Sequence, residues 1–197
     1  MTNIKKIAIA GTGGIGSHFI SLLFDFGVNR NQFDFVGTQI DAYDADDISS
    51  SNLLHQNYTT DDLGKLKVEV MADRYAITPV KRFMTAEDFP NYDLVICCVD
   101  AMEFRKSLYE YGWKNKDFLW IDGRCTSHNG FVLNSKLPKK ELEEFITDSK
   151  ERGGCLLQFE KDKQTAHALP IVVAATMLQV FLNTLRGEPS FQQGFTI

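Results

Sequence analysis

The stretch Lys6–Ser17, KIAIAGTGGIGS, decides how this chain folds. Its apolar run Ile7–Ala10 predicts a short buried strand, and a glycine loop follows at once. Apolar side chains then recur at the three- and four-residue spacing of a helix. They are Ile15, Phe19, Leu22 and Leu23. Strand, glycine loop and helix in this order form the context in which G-x-G-x-x-G predicts phosphate binding.

The glycines of this loop have separate predicted tasks. Gly11 allows the tight turn, Gly13 lets the backbone approach a phosphate, and Gly16 lets the helix pack closely on the strand. We count Gly14 with them as a nucleotide-binding residue. The start of the helix adds unpaired N–H groups and about half a positive charge. Because any tight strand-to-helix turn favours glycine, the motif predicts a nucleotide site only together with its flanks.

Length and composition predict a single domain over residues 1–197. The hydrophobic share of 44% is enough for one core, and the net charge of -5 argues against nucleic acid as the main partner. The longest apolar run, Leu169–Leu182, is interrupted by Thr176 and Gln179, so we expect no membrane partner. Lys150–Gln164 is the least regular region, and we expect a mobile loop at about residues 148–166.

The four cysteines form neither a disulfide framework nor C-x-x-C pairs, so no zinc is expected. The sequence enters its first predicted strand almost at once, and we therefore expect no signal peptide. Reduced thiols without a leader predict a cytoplasmic protein.

Predicted strands and helices alternate along the chain. The strands are expected at Phe33–Asp44, Ile77–Phe83, Tyr92–Val99, Phe118–Asp122 and Gly130–Leu133. The helices are expected at Lys67–Arg74, Ala101–Tyr111, Lys139–Thr147 and Ala168–Arg186. This alternation predicts a Rossmann-like α/β fold, with a mostly parallel sheet and helices on both faces.

Carboxylates follow two of the predicted strands. Asp44 stands where the second strand of a βαβ unit usually holds a ribose. Asp100 follows the central strand, at the edge where open α/β sheets bind their ligands. Each acid taken alone is better explained by an ordinary structural role, as a solvated residue at a strand end or, for Asp100, as a cap of the following helix.

Four motifs in order resemble the ThiF/MoeB/ubiquitin-activating adenylyltransferase family. They are the loop GTGGIGS, DADDISSSNLLHQ at Asp44–Gln56, LGKLKVE at Leu63–Glu69 and CVD at Cys98–Asp100. The resemblance covers roughly the first 135 residues, and the helix from Leu169 is similar to the family's closing helix. It implies a ThiF/MoeB-type fold that binds ATP and magnesium and transfers AMP to a carboxylate. The acceptor in the family is usually the C-terminal glycine of a ubiquitin-like protein, and homodimers are common.

The resemblance assigns roles residue by residue. Asp44 matches the acid that holds the ribose, and Asn52 and Gln56 match polar groups at the phosphates and the reacting centre. Lys67 matches the phosphate-binding lysine, and Asp100 matches the acid tied to magnesium and the nucleotide. Cations and loop N–H groups supply what carboxylate attack on a phosphate needs, so no protein nucleophile is required.

His55 stands where the family pattern has an arginine. Imidazole is shorter, lacks the planar fork and is mostly neutral near neutral pH, so His55 is either a tuned substitute or a sign of altered activity. Arg30, Arg105 or Arg124 are candidates to compensate, also for the N-terminal arginine helix that the family often has and that we do not expect here. Asp46 is grouped with the nucleotide-binding residues. The predicted catalytic residues are Asn52, His55, Lys67 and Asp100.

Thioester chemistry has few candidate residues. Family members that use sulfur carry a cysteine in the loop before the closing helix, where Asp162–His167 has none. Cys155 and Cys125 are the remaining candidates, whereas Cys97 and Cys98 fall in a predicted central strand and are expected to be buried. Adenylylation alone is therefore the expected activity.

Three other interpretations stay open. His55 favours a catalytically silent scaffold or partner subunit that keeps the nucleotide. A member that activates a small molecule or a modified tRNA base fits the same motifs. An NAD-dependent oxidoreductase accounts for the glycine loop and Asp44, but it explains neither SNLLHQ nor Lys67. Our leading expectation is a ubiquitin-like or peptide C-terminus as acceptor, with ATP and Mg²⁺, in a homodimer.

Overall fold

The computed structural model describes residues 4–28, 37–125, 129–148, 168–189 and 193–196. The strands are β1 (Lys6–Ala10), β2 (Gln39–Tyr43), β3 (Thr78–Val80), β4 (Leu94–Cys97), β5 (Leu119–Cys125), β6 (Asn129–Asn134) and β7 (Gln193–Thr196). The helices are α1 (Gly14–Leu22), α2 (Lys67–Arg74), α3 (Met102–Lys114), α4 (Lys139–Asp148) and α5 (Leu169–Arg186). A π-helical turn, Leu23–Val28, extends α1, and short 3-10 helices lie at Ser50–Leu54, Thr60–Asp62 and Ala86–Asn91.

The strands form one seven-stranded sheet in the order β3-β2-β1-β4-β5-β6-β7. The pairs from β3 to β5 are parallel, whereas β6 and β7 are antiparallel. The mostly parallel sheet expected from the sequence is thus confirmed. Because the chain builds outward from β1 on both sides, the strand order reverses between β1 and β4, and ligands of such sheets bind at the carboxyl ends of the strands there.

Alternate residues of the strands face two hydrophobic cores. Ile7 and Ile9 of β1 pack in the core that contains residues of α1, α2 and α5. Ala8 and Ala10 point to the opposite core, which contains Tyr109 of α3. Helices on both faces are therefore confirmed, and burial on both sides is why the strands are continuously apolar.

Three predicted strands pair over shorter ranges in the described residues, and one of them is β4, which pairs over Leu94–Cys97 of the predicted Tyr92–Val99. Only Thr78–Val80 of the predicted strand Ile77–Phe83 pairs with β2, because β3 lies at the edge of the sheet and Pro79 has no amide hydrogen to donate. The strand predicted at Phe33–Asp44 pairs from residue 39 to residue 43. Residues 29–36 lie outside the described residues, and so does nearly all of the loop predicted at about 148–166.

The closing helix α5 is long and apolar enough to cross a membrane by length and composition. Half of it is buried inside this fold, where it packs on α1, β5 and β6. The contact with the sheet is close, since a Cβ added at Gly123 would lie 3.1 Å from Cγ1 of Val173. The core helix of a domain has this composition too, and the absence of a membrane partner stays a prediction.

Candidate nucleotide site

The glycine loop makes a tight turn between β1 and α1. Gly11 has a φ of 87°, in the left-handed region, and its N–H donates to the Tyr43 carbonyl at 2.9 Å. A Cβ at Gly16 would overlap the carbonyl oxygen of Gly11. Gly13 and Gly14 have room by comparison, because the nearest atoms to an added Cβ are 3.9 Å and 3.4 Å away. The loop therefore brings backbone close to backbone at Gly16, whereas side chains lie at ordinary contact distance from Gly13 and Gly14.

The carboxylate of Asp44 holds this loop against the end of β2. Its Oδ2 accepts from the Thr12 N–H at 2.7 Å and from the Thr12 hydroxyl at 3.0 Å. Its Oδ1 accepts from the Asp46 N–H at 3.0 Å, and the residue is only 4% exposed. Because a carboxylate offers about four acceptor positions, one is left for a further donor such as a ribose hydroxyl.

Lys67 is buried and forms an ion pair with the second acid of the motif. Its Nζ lies 2.9 Å from Oδ2 of Asp46, whose side chain is 54% exposed. The Lys67 N–H also donates to the Asp46 carbonyl, at 3.0 Å. The start of α2 is thus tied to the segment that follows β2, and the ammonium group is held beside a largely solvated carboxylate.

Asn52 lies in the 3-10 helix Ser50–Leu54, where its Oδ1 accepts from the Ser49 N–H at 2.9 Å. This reciprocal cap is the ordinary structural role of an asparagine at such a turn. The cap fixes the short helix that leads into His55 and Gln56, so Asn52 shapes the approach of these two residues to the loop.

The side chains of His55 and Gln56 lie on the glycine loop. Cδ2 of His55 is 3.4 Å from the position of a Cβ at Gly14, and Nε2 of Gln56 is 3.9 Å from that of a Cβ at Gly13. The Gln56 amide nitrogen lies 3.4 Å from Nε2 of His55. Two motifs that are distant in sequence therefore converge at one place, Gly13 and Gly14 of the glycine loop.

The amide of Gln56 carries an unsatisfied polar atom at this place. Its Oε1 is buried and has no hydrogen-bond partner among the described residues. A buried amide oxygen without a donor costs about 1–3 kcal/mol. A bound group that donates to this oxygen, or that accepts from the amide nitrogen after rotation of the amide, would remove this cost.

Asp100 lies just beyond β4 and is exposed. The preceding residues contact the loop, since a Cβ at Gly11 would be 3.0 Å from Cγ1 of Val99 and 3.2 Å from the carbonyl oxygen of Cys98. Asp100 therefore stands near the loop at the carboxyl edge of the sheet. Within the described ranges, no group of three or more His, Cys, Asp and Glu side chains is arranged to hold a metal ion.

Several residues that the sequence pattern did not single out tie the segment 55–58 to the loop and α1. Nε2 of His18 donates to the His55 carbonyl at 3.2 Å, and Oγ of Ser17 accepts from the Asn57 N–H at 3.0 Å. The Tyr58 hydroxyl donates to the Thr12 carbonyl at 2.6 Å. The sequence feature that could have indicated these contacts is the polar pair Ser17–His18 in a mostly apolar helix.

Arg105 and Arg124, considered as substitutes for the missing arginine, are both bound to the buried carboxylate of Asp122. Nε of Arg105 lies 3.1 Å from Oδ1, and Nε of Arg124 lies 2.9 Å from Oδ2. The Tyr109 hydroxyl donates to the same carboxylate. Burial opposes ionisation of Asp122, but the two guanidinium groups outweigh it and lower its pKa. These arginines therefore join α3 to β5, and Arg30 lies outside the described residues.

The cysteines have different environments. Cys97 and Cys125 are buried, and burial raises the pKa of the Cys97 thiol well above its usual range. Cys98 lies just beyond β4 rather than within it and is half-buried, because the strand ends at residue 97. Cys155 lies outside the described residues.

Comparison with known proteins identifies the family and the fold. The profile of the ThiF family matches residues 2–196. No curated protein matches the chain. Among solved structures, PaaA has a TM-score of 0.68 at 18% identity, with 98% of this chain and 61% of its own covered. E. coli MccB, solved with ATP, has the same TM-score and identity and covers 100% of this chain and 61% of its own.

A third structure is E. coli TcdA, the tRNA N6-threonylcarbamoyladenosine dehydratase. Its TM-score is 0.64 at 18% identity, with 93% of this chain and 86% of its own covered. The chain spans about three-fifths of the length of PaaA and MccB, 61% in each. At these identities the likeness shows the fold, whereas the family profile extends over nearly the whole chain: the chain belongs to the ThiF family.

Proposed function

We propose that this chain is an ATP-dependent adenylyltransferase that activates a C-terminal carboxylate of a ubiquitin-like protein or a peptide. The observation that carries the proposal is the convergence of His55 and Gln56 on Gly13 and Gly14 of the glycine loop. Membership of the ThiF family supports the reaction class. E. coli MccB, which shares the fold, was solved with ATP and with AMPCPP and MccA.

Nucleotide binding uses groups that the fold brings together. The fourth acceptor position of Asp44 takes a ribose hydroxyl, and the N–H groups at the start of α1 face the phosphates. Lys67 exchanges its contact with Asp46 for a phosphate oxygen, which keeps its charge compensated. The amide of Gln56 gains the partner that it otherwise misses.

The transfer step needs charge compensation more than proton transfer. An ionised carboxylate oxygen of the acceptor attacks the α-phosphorus, a new O–P bond forms, and the bond from the α-phosphorus to the bridging oxygen breaks. Pyrophosphate leaves with that electron pair. Lys67 offsets the negative charge that builds up on the leaving group, and the loop N–H groups hold the phosphates in line.

Magnesium is the metal that the family implies, and Asp100 fits it. Mg²⁺ is usually held by one or two carboxylates together with substrate phosphates rather than by a cage of protein ligands. An exposed carboxylate at the carboxyl edge of β4 meets that need. When bound, the ion neutralises phosphate charge.

Acceptor-dependent exchange of pyrophosphate into ATP tests the proposal. Candidate acceptors are peptides and small proteins that end in Gly-Gly. We expect exchange with a matching acceptor, and a loss of about 100-fold or more in Lys67→Ala and in Asp100→Ala. Lys65→Ala is the matched control, because Lys65 is an exposed lysine two residues away. Equal exchange in Lys65→Ala and Lys67→Ala would contradict the assigned role.

A catalytically silent scaffold is the second candidate. A histidine at position 55 in place of an arginine and the ion pair of Lys67 with Asp46 favour it. A silent scaffold would bind ATP but would catalyse no exchange of pyrophosphate into ATP with any acceptor. If exchange instead required a tRNA or a small carboxylic acid, the proposed acceptor class would be wrong, but the proposed reaction type would stand.

A further inference from the structure

The hydroxyl of Tyr58 lies between the glycine loop and the start of α2. It donates to the Thr12 carbonyl at 2.6 Å and is 3.4 Å from the carbonyl oxygen of Lys67. The residue is 6% exposed and packs in the core shared by α1, α2 and α5. Burial raises the pKa of Tyr58 far above its usual value, so the phenol keeps its proton and remains a donor.

Thr12 of the glycine loop is held from two sides. Asp44 accepts from its N–H and from its hydroxyl, and Tyr58 donates to its carbonyl. A phenol has one proton to donate, so the more distant Lys67 carbonyl, also an acceptor, gains no separate hydrogen bond from Tyr58. Neither partner of Thr12 is local in sequence, since residues 44 and 58 lie 32 and 46 positions away.

We propose that Tyr58 is a positioning residue of the nucleotide site. Its hydroxyl holds the Thr12 carbonyl, and its ring is anchored in the core that contains residues of α1, α2 and α5, so the loop N–H groups stay turned toward the phosphates. A phenylalanine fills the same space but cannot hold the Thr12 carbonyl, so the loop loses this anchor. The ligand in this inference rests on the proposed function, whereas the ordering of the loop does not.

Tyr58→Phe is compared with Tyr92→Phe. The control removes a hydroxyl that is also well bonded, since Tyr92 donates to Asp41 and contacts the Tyr43 hydroxyl, each at 2.7 Å. Two quantities are measured: hydrogen exchange of the amides of residues 12–17 without ligand, and the dissociation constants of ATP and adenosine. We expect Tyr58→Phe alone to speed exchange of these amides and to weaken ATP about three- to tenfold, the range of one hydrogen bond. Adenosine, which has no phosphates, keeps its affinity.

The outcomes separate the two claims. Unchanged amide exchange in Tyr58→Phe overturns the positioning role, whatever the nucleotide does. Equal weakening of ATP and adenosine overturns it as well, because the effect would then be a general loosening of the fold. A wild-type chain that binds no ATP overturns the proposed function, while faster loop exchange in Tyr58→Phe would still support the ordering of the loop.

Discussion

At the scale of single residues, His55 is the position where the candidate site departs most from the family pattern. The imidazole already lies beside Gly14 of the glycine loop. An arginine at this position is always charged and carries a planar fork of donors that matches phosphate. The chemistry of this one side chain therefore bears directly on the proposed use of ATP.

We expect His55→Arg to lower the KM for ATP severalfold, because a permanent positive charge replaces a mostly neutral ring. The measurement is the ATP dependence of pyrophosphate exchange. His55→Gln is the control, since it is polar and neutral and should bring no gain. If both variants behave like the wild type, residue 55 does not contact phosphate.

His18 makes a second prediction at this scale. Burial lowers its pKa, although its hydrogen bond to the His55 carbonyl acts in the other direction. In the unfolded chain the pKa of His18 is about 6.5, so below that pH the unfolded chain binds more protons than the folded chain. The stability that His18 contributes is therefore complete above about pH 6.5 and is lost as the pH falls through the lower pKa of the folded chain.

The measurement is the free energy of unfolding in urea at pH 7.5 and at pH 5.5. We expect the decrease between the two to be smaller in His18→Gln, whose amide can still donate to the His55 carbonyl. Identical decreases in the wild type and the variant would show that His18 does not titrate in this range.

At the scale of elements, the loop and α1 make one unit with β1. The approach of Gly16 to the Gly11 carbonyl leaves no room for a methyl group, whereas Gly14 has ordinary clearance from His55 and Pro170. The same substitution at these two positions therefore separates close packing from helix propensity.

We expect Gly16→Ala to reduce the free energy of unfolding by about 3 kcal/mol or more, because the new methyl group meets backbone that cannot move aside. Gly14→Ala should remain within about 1 kcal/mol of the wild type, since alanine favours a helix and its nearest neighbours are side chains. Chemical denaturation measures both. A tolerated Gly16→Ala would mean that α1 sits further from β1 than the structure places it.

At the scale of the whole molecule, a buried ionic cluster joins the helix α3 to the sheet. Asp122 is fully buried between Arg105 and Arg124. Removal of its charge leaves two buried guanidinium groups without their shared counter-ion. Such a loss typically costs about 3–5 kcal/mol.

We therefore expect Asp122→Asn to lower the free energy of unfolding by about that amount. Glu143→Gln breaks an exposed ion pair with Lys139, at 3.5 Å, and should change the free energy of unfolding by less than about 0.5 kcal/mol. Chemical denaturation of both variants provides the comparison. A change below 1 kcal/mol in Asp122→Asn would contradict the role of this cluster.

The sheet and the glycine loop were predictable because their signals are local. A parallel strand buried on both faces must be continuously apolar, as in β4, and the loop glycines are fixed by backbone space. The short β7 was not predicted, since it depends on a partner, β6, that is distant in sequence. The contacts of Tyr58 and His18 were missed for the same reason: their partners are brought close only by the fold.

The contacts that Asn52 and Lys67 make in the structure could not be predicted for a similar reason. Asn52 caps a 3-10 turn, Lys67 pairs with Asp46, and both arrangements depend on the path of the segment after β2. A sequence motif indicates which residues lie near one another, but the folded structure decides which of their atoms form hydrogen bonds. The assigned contacts of these residues with a nucleotide stay predictions.

Titration of the purified chain with ATP and Mg²⁺, beside a titration with NADH, tests the central claim most directly. The account predicts saturable binding of ATP that weakens strongly in Lys67→Ala and is unchanged in Lys65→Ala, with no comparable binding of NADH. Firm binding of NADH without binding of ATP would contradict it.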